Sequence, residues 1–400
     1  MFQHNFFGYV LALAGLLTFQ SCNGQNTSPN SKKDKTIGGF CDGCELLYVG
    51  MPTQIKAVDT STGWHEKGQK LLVTGTVYQL DGQTPAANVI LYYWQTDNNG
   101  YYSPKPNLDK RAKRHGHIRG WVKTDAKGKY SIYTIRPAPY PNDTMPAHIH
   151  LAVKEPHISQ EYYIDELVFD DDPLLTGKKR KLLENRGGSG VVRILLKDQL
   201  QVAVHNIVLG LHIPNYPQQV KQQLNSGLAI GEDSPSFTPF HAWGPDKGTT
   251  TCPVCKYGRY QGLLYFVGDA PNWDDIKKWL VFLEQQSQQR SKYLKVYFIY
   301  GNSKNYHKAG RQKELEQLGT SLRLQHLALT FVPALTDEKS EVALNKINPN
   351  AKNTFILYQH RNIVAKFIEL EANPANFRLI TNTLNQNKSE YNQLPEPIFH

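Results

Sequence analysis

From Leu71 to Val208 apolar and polar residues alternate in short runs, each closed by Gly, Pro, Asn or Asp. Side chains two apart on a strand share a face, so this pattern predicts half-buried strands. The clearest runs are Leu71–Tyr78, followed by the turn signal Asp81-Gly82, and Asn88–Trp94, followed by Asp97-Asn98-Asn99-Gly100. Gly120–Lys123, Tyr130–Ile135, His148–Val153, Tyr162–Phe169, Val191–Leu196 and Gln201–Val208 read the same way. Strands this short and this numerous predict a β-sandwich or barrel over residues 38–217.

The period then changes. Residues 218–251 are polar and rich in Gly, Pro and Ser without sustained periodicity, and read as a linker. Beyond them Gly262–Val267 is an apolar strand. Asn272 is placed to cap a helix with Trp273, Ile276, Trp279, Leu280 and Leu283 on one face, and Lys295–Tyr300 is a second strand, which together make a βαβ unit. A helix near Gln312–Leu322, strands Leu327–Val332, Thr354–Leu357 and Ile363–Ile368, and a helix near Asn373–Leu384 complete an α/β domain over 252–386. Its order resembles the thioredoxin-like fold, and residues 387–400 read as a loose polar tail.

At 400 residues the chain is long enough for two cores, in agreement with this division. The apolar run Phe6–Phe19 is short for a bilayer span and ends at Ser21-Cys22, so residues 1–22 read as a secretory leader. Cys22 resembles the lipidated cysteine of bacterial lipoproteins, with plain leader cleavage as the alternative, and residues 23–37 form a polar tether. The expectation is an exported protein, periplasmic or on the outer membrane, held to a membrane through lipid alone. The remaining cysteines form two Cys-x-x-Cys pairs, Cys41 with Cys44 and Cys252 with Cys255. Disulfides are the default reading in an oxidising compartment, with a shared zinc site as the alternative. The net charge of +10 includes the clusters Lys110-Arg111, Lys113-Arg114 and Lys178–Lys181. No aromatic interleaving or nucleic-acid motif accompanies them, so nucleic acid is not an expected partner.

Pro146-Ala147-His148-Ile149-His150 offers chemistry, because both imidazoles fall on one face of a strand where a single metal ion can meet them. An isolated His-x-His in a β protein is more readily structural than a metal site on spacing alone. The wider set is more specific. Trp94–Tyr102, Arg136-Pro137-Ala138-Pro139-Tyr140 and Phe169-Asp170-Asp171-Asp172-Pro173 accompany the histidine pair. With them the segment from about Gly38 to Tyr216 resembles the intradiol dioxygenase family. The resemblance implies a non-haem iron(III) site with Tyr102, Tyr140, His148 and His150 as ligands. It implies a small aromatic diol of catechol type and dioxygen as substrates, and a muconate-type diacid as product. Tyr140 would be the ligand that leaves and acts as base, the other three staying bound. The family often forms oligomers, which implies a homo-oligomer here.

The sequence departs from the family pattern at the residue before Pro-Ala-His, where Met145 replaces an arginine, and at Glu166, where a glutamine is expected; both are candidate substrate-binding positions. Asn142 stands where an aromatic residue is common. Either the substrate differs from simple catechols, with Arg136 or Arg119 supplying the missing cation, or the site holds iron and turns over slowly. Tyr101 is the rival of Tyr102, and His115-Gly116-His117 reads as a loop at the mouth of the site. Two other functions compete: a binding module without catalysis, and a thiol-redox lipoprotein using Cys252 and Cys255. The latter pair precedes its first core strand, whereas a thioredoxin-like redox pair follows it.

Overall fold

The computed structural model describes residues 36–41, 43–217, 225–304 and 306–396. The leader, most of the tether, Cys22, part of the expected linker and the last residues of the tail lie outside them.

Two sheets face each other in the first half. One runs in the order Val58–Thr60, Lys129–Ile135, Lys70–Tyr78, Leu200–Val204, Ile194–Lys197, with Ile207–Val208 also paired to Lys70–Tyr78. The other runs Arg119–Lys123, Ile90–Gln95, His148–Lys154, Leu167–Phe169, Val191–Val192. Alternate residues of both sheets, among them Leu71, Val73 and Ile132 opposite Leu91, Ile149 and Leu151, are buried in one shared core. Burying each such side chain is worth about 1.5–3 kcal/mol, and that fixes the register of every strand contributing one.

The register determines what lies on the outer face of the second sheet. Tyr92, Trp94 and Ala152 point away from the core and are buried instead under Leu46, Leu47 and Ala112. These come from the 3-10 turns Cys44–Tyr48 and Lys110–His115. His148 and His150 share the parity of Ala152, so they too leave the core on that side.

The second half is a single mixed sheet in the order Phe240–Trp243, Ala328–Phe331, Leu294–Tyr300, Gln261–Val267, Thr354–Gln359, Asn362–Ile368. Gln261–Val267, Leu294–Tyr300 and Ala328–Phe331 are parallel neighbours joined by helices Trp273–Gln289 and Lys308–Ser321, which makes two βαβ crossovers. Helices Trp273–Gln289 and Pro374–Gln386 pack Trp279, Leu283, Ile380 and Leu384 on one face of the sheet. The first cap is the one read from the sequence, Asn272 accepting from Asp275 N at 3.3 Å, and the second helix is capped by Asn373, which accepts from Asn376 N at 3.0 Å. No helix among the described residues is long and apolar enough to cross a membrane.

Three expectations change. Within the stretch read as a linker, Phe240–Trp243 is an edge strand and Phe237 is fully buried, so the sheet of the second half begins before Cys252. Residues 387–396 are packed rather than loose: Leu196 N donates to Pro395 O at 2.8 Å, and Asn392 is buried against Gln359. The expected strand Val191–Leu196 breaks at Arg193, where the chain passes from one sheet of the sandwich to the other.

Candidate metal centre

The strand His148–Lys154 lies antiparallel to Ile90–Gln95 with Trp94 opposite His150. Their rings stack at 4.7 Å and 12°, and His115 stacks on the other side of Trp94 at 4.1 Å and 1°. Such stacking contributes on the order of 0.5–1.5 kcal/mol per pair and holds His150 in one orientation. His148 is held differently. Its Nδ1–H donates to Pro146 O at 2.8 Å, which leaves the Nε2 lone pair facing outward. Glu166 Oε1 lies 3.5 Å from His150 Nδ1 and directs that ring in the same sense.

Two loops bring tyrosines to these nitrogens. Both are tied to the buried Asp97, whose backbone oxygen accepts from Gly100 N at 3.2 Å and Ala138 N at 3.1 Å. Its carboxyl accepts from Asn99 N, Tyr101 N and Ser103 Oγ. Gly100, at φ 84°, lets the loops meet, since a Cβ there would strike the Pro139 carbonyl oxygen. Tyr101 points to solvent with 58% exposure, and Tyr102 turns inward.

The result is a ring of four donor atoms. Tyr102 Oη lies 2.6 Å from Tyr140 Oη and 2.8 Å from His150 Nε2. Tyr140 Oη lies 3.1 Å from His148 Nε2, and the two Nε2 atoms are 3.2 Å apart. First-row metals bind such nitrogen and oxygen donors at roughly 2.0–2.2 Å, which sets adjacent donors about 3 Å apart. The spacing therefore suits one shared cation. Among the described residues no group of three or more His, Cys, Asp and Glu side chains is placed to hold a metal, so a cation here must draw on the phenols.

Burial pushes the Tyr102 phenol far above its ordinary range and also raises Tyr140, so neither ionises without a strong positive field nearby. Burial lowers the His148 imidazole, which keeps it neutral and able to donate its lone pair. Two hard phenolate oxygens with two neutral imidazoles form a donor set that favours a trivalent over a divalent iron ion. The residues present fit such an ion.

The other expected residues fall in different places. Met145 lies on the exposed loop joining Tyr140 to His148, with 48% exposure. Arg136 and Arg119 do not present free cations to this site. Arg136 forks onto Asp171 at 2.7 and 2.6 Å. Arg119 is buried between Tyr92 and Trp121, donating to Leu46 O at 3.0 Å and Val49 O at 2.5 Å. His115 and His117 are likewise not at a mouth. Both are buried, His115 against Trp94 and Tyr92 Oη, and His117 between Ser103 O and Glu66. Gly116 between them, at φ 65°, rests on the backbone of Tyr102. Cys41 and Cys44 form a disulfide at the turn covering this face, and Cys252 and Cys255 form a second at the helix Pro253–Tyr257.

Sequence reasoning missed the support around the donors: Trp94, His115, Gly116 and Asp172. The buried Asp172 accepts from Ala147 N at 2.8 Å, just before His148. Gly116 carried a signal, a glycine between histidines, whose meaning depended on a contact with a distant loop.

Residues 47–182, which contain all four donors, match the protein-family model described as Dioxygenase. The beta chain of protocatechuate 3,4-dioxygenase from Burkholderia cepacia is 30% identical over 114 residues, 27% of this chain and 48% of that protein. Catechol 1,2-dioxygenase 1 from Acinetobacter lwoffii is 26% identical over 188 residues, 41% of this chain and 58% of that protein. The chain thus spans about half the length of these curated relatives. Among solved structures, hydroxyquinol 1,2-dioxygenase from Pseudomonas putida DLL-E4 aligns with a TM-score of 0.30 at 22% identity, covering 42% of this chain and 62% of that one.

Proposed function

We infer that this chain, a member of the intradiol ring-cleaving dioxygenase family through residues 47–182, holds a ferric ion between Tyr102, Tyr140, His148 and His150. With it the chain opens a catechol-type ring between its two hydroxyl-bearing carbons, using dioxygen. The observation carrying this reading is the convergence of two phenols and two imidazoles at 2.6–3.2 Å.

When bound, the ion would supply Lewis acidity that ionises the phenols and the substrate hydroxyls and a route for electron density toward dioxygen. The protein residues do the rest. His148 and His150 are fixed, one by the Pro146 carbonyl and the other by Trp94 and Glu166. Tyr102 is held from behind by Gly116, so it is the stationary phenol. Tyr140 stands at the head of a segment exposed from Pro141 to Met145, and is assigned the mobile role. Ionised by the bound metal, its Oη would accept the proton of one substrate hydroxyl, a general-base role. Glu166, 3.5 Å from His150 Nδ1, would border the ring, and Met145 is assigned to its approach as the residue before Pro146-Ala147-His148.

Oxygen uptake by the iron-reconstituted full chain, measured across a broad panel of catechols, tests the reading. Uptake with ring-opened diacid as product is expected, and loss of uptake in Tyr140→Phe should accompany it. A protein that takes up iron and consumes no oxygen with any member of the panel would remove the catalytic part of this reading.

A further inference from the structure

Three consecutive carboxylates follow the strand Leu167–Phe169, and each is committed to a different part of the molecule. Asp172 accepts Ala147 N through Oδ2 at 2.8 Å and Leu174 N through Oδ1 at 2.8 Å. This fixes the backbone immediately before His148. Asp171 takes the fork of Arg136, whose guanidinium also lies 4.5 Å over the Phe169 ring. Arg136 is where the strand Lys129–Ile135 ends and the proline-rich approach to Tyr140 begins. The two ends of the Tyr140–His148 segment are therefore tied to adjacent residues.

Asp170 is linked to the C-terminal half through arginines. Arg180 donates to it and Arg193 Nη1 stands 3.7 Å away. Arg180 is in turn 3.8 Å from Asp233, and Asp233 receives the fork of Arg361 at 3.1 and 2.8 Å. Arg361 is only 5% exposed, in the turn between Thr354–Gln359 and Asn362–Ile368. Burial alone would raise the Asp170 carboxyl, but Arg361, Arg180 and Arg193 outweigh it and hold the group below the usual carboxylate range. A chain of fixed charges thus runs from the second sheet to the segment that carries two metal donors.

We propose that the C-terminal domain is a positioning element for the metal centre, acting through Asp170, Asp171 and Asp172 to set the separation of the Tyr140 loop from the His148 strand. The proposal rests on the metal-site reading above. Its physical basis is tolerance. Metal–donor distances hold to about 0.2 Å, and a loop exposed over its middle cannot supply that accuracy itself. Outer-shell partners of metal ligands are typically worth 10–100-fold in affinity, and here part of that shell is anchored in another domain.

The test uses the full chain with Asp171→Asn, Asp233→Asn and, as a control, Glu341→Gln. The control breaks the Lys181–Glu341 pair of 2.8 Å across the same interface without touching Asp170, Asp171 or Asp172. Iron(III) affinity by chelator competition, the position of the tyrosinate-to-iron absorption band, and the melting temperature of metal-free protein are measured for each. Asp171→Asn is expected to weaken iron binding roughly 10–100-fold and Asp233→Asn about tenfold, both shifting the band, with Glu341→Gln unchanged. Should Asp171→Asn fail to fold, Arg136→Lys keeps the charge and loses the two-pronged contact, and takes its place. Wild-type affinity and band position in Asp233→Asn, even with a lower melting temperature and whatever Asp171→Asn shows, would overturn the proposal. A wild-type protein that binds no iron and shows no band would instead overturn the metal-site reading, and the positioning role with it.

Discussion

Gly116→Ala places the smallest side chain at the most constrained contact of the site. Gly116 sits at φ 65°, and a Cβ added there would stand 2.9 Å from both Cα and C of Tyr102. Ordinary van der Waals contact begins near 3.4 Å, so one side must move by about 0.5 Å. The Gly116 side cannot readily yield, because His115 is stacked on Trp94 and His117 is bonded through its backbone N and ring Nδ1 to Ser103 O. Tyr102 moves instead, by more than twice the 0.2 Å that metal geometry accepts. We expect iron(III) affinity to fall by roughly 10–100-fold in chelator competition. The left-handed backbone adds about 1–2 kcal/mol of destabilisation in metal-free protein, a melting shift on the order of 2–8 °C. Gly116→Asn separates the two effects, since asparagine tolerates the backbone angle but still carries a Cβ. It should recover stability and bind iron as poorly as the alanine variant. Wild-type iron affinity in either variant would refute the account of how Tyr102 is held.

Met145→Arg should raise oxygen uptake with simple catechols by roughly tenfold or more, by supplying the cation that Arg136 and Arg119 do not; an equal or lower rate would show that no such cation is needed. Cys252→Ser removes the disulfide of the helix Pro253–Tyr257 and should leave the visible band and oxygen uptake intact, whereas loss of activity would favour the thiol-redox reading. Stability should also depend on acid in a defined window. Burial lowers His205 and His360 to about 4, below the roughly 6.5 of an unfolded histidine, so the unfolded chain binds more protons between those values. Stability then falls as pH drops from about 6.5 toward 4, by about 1.4 kcal/mol per pH unit for each histidine. Urea unfolding of His205→Gln at pH 7, 6 and 5 should give a shallower slope by about one proton; a slope equal to that of the parent would contradict this.

What could be read from the sequence followed locality. Alternation along His148–Lys154 correctly put both histidines on one face, because strand parity is set by neighbours in the chain. The cap Asn272 was legible for the same reason. Arg136 was misjudged because its partner, Asp171, lies 35 residues away, and a free guanidinium looks the same in sequence as a paired one. His115 and His117 looked exposed beside a glycine, yet that glycine marks a close approach to Tyr102. The strand Phe240–Trp243 was hidden in a polar stretch because four residues are too few to show a period. The break at Arg193 depends on which sheet each flanking strand joins, information that alternation does not contain.

The most direct test of the metal centre is metal analysis of freshly isolated full-length protein together with its visible spectrum. The account expects bound ferric iron and a wine-red tyrosinate absorption that changes on adding a catechol and is lost in Tyr102→Phe or His148→Ala. A colourless protein containing zinc or no metal, still colourless after ferric iron is supplied, would contradict it.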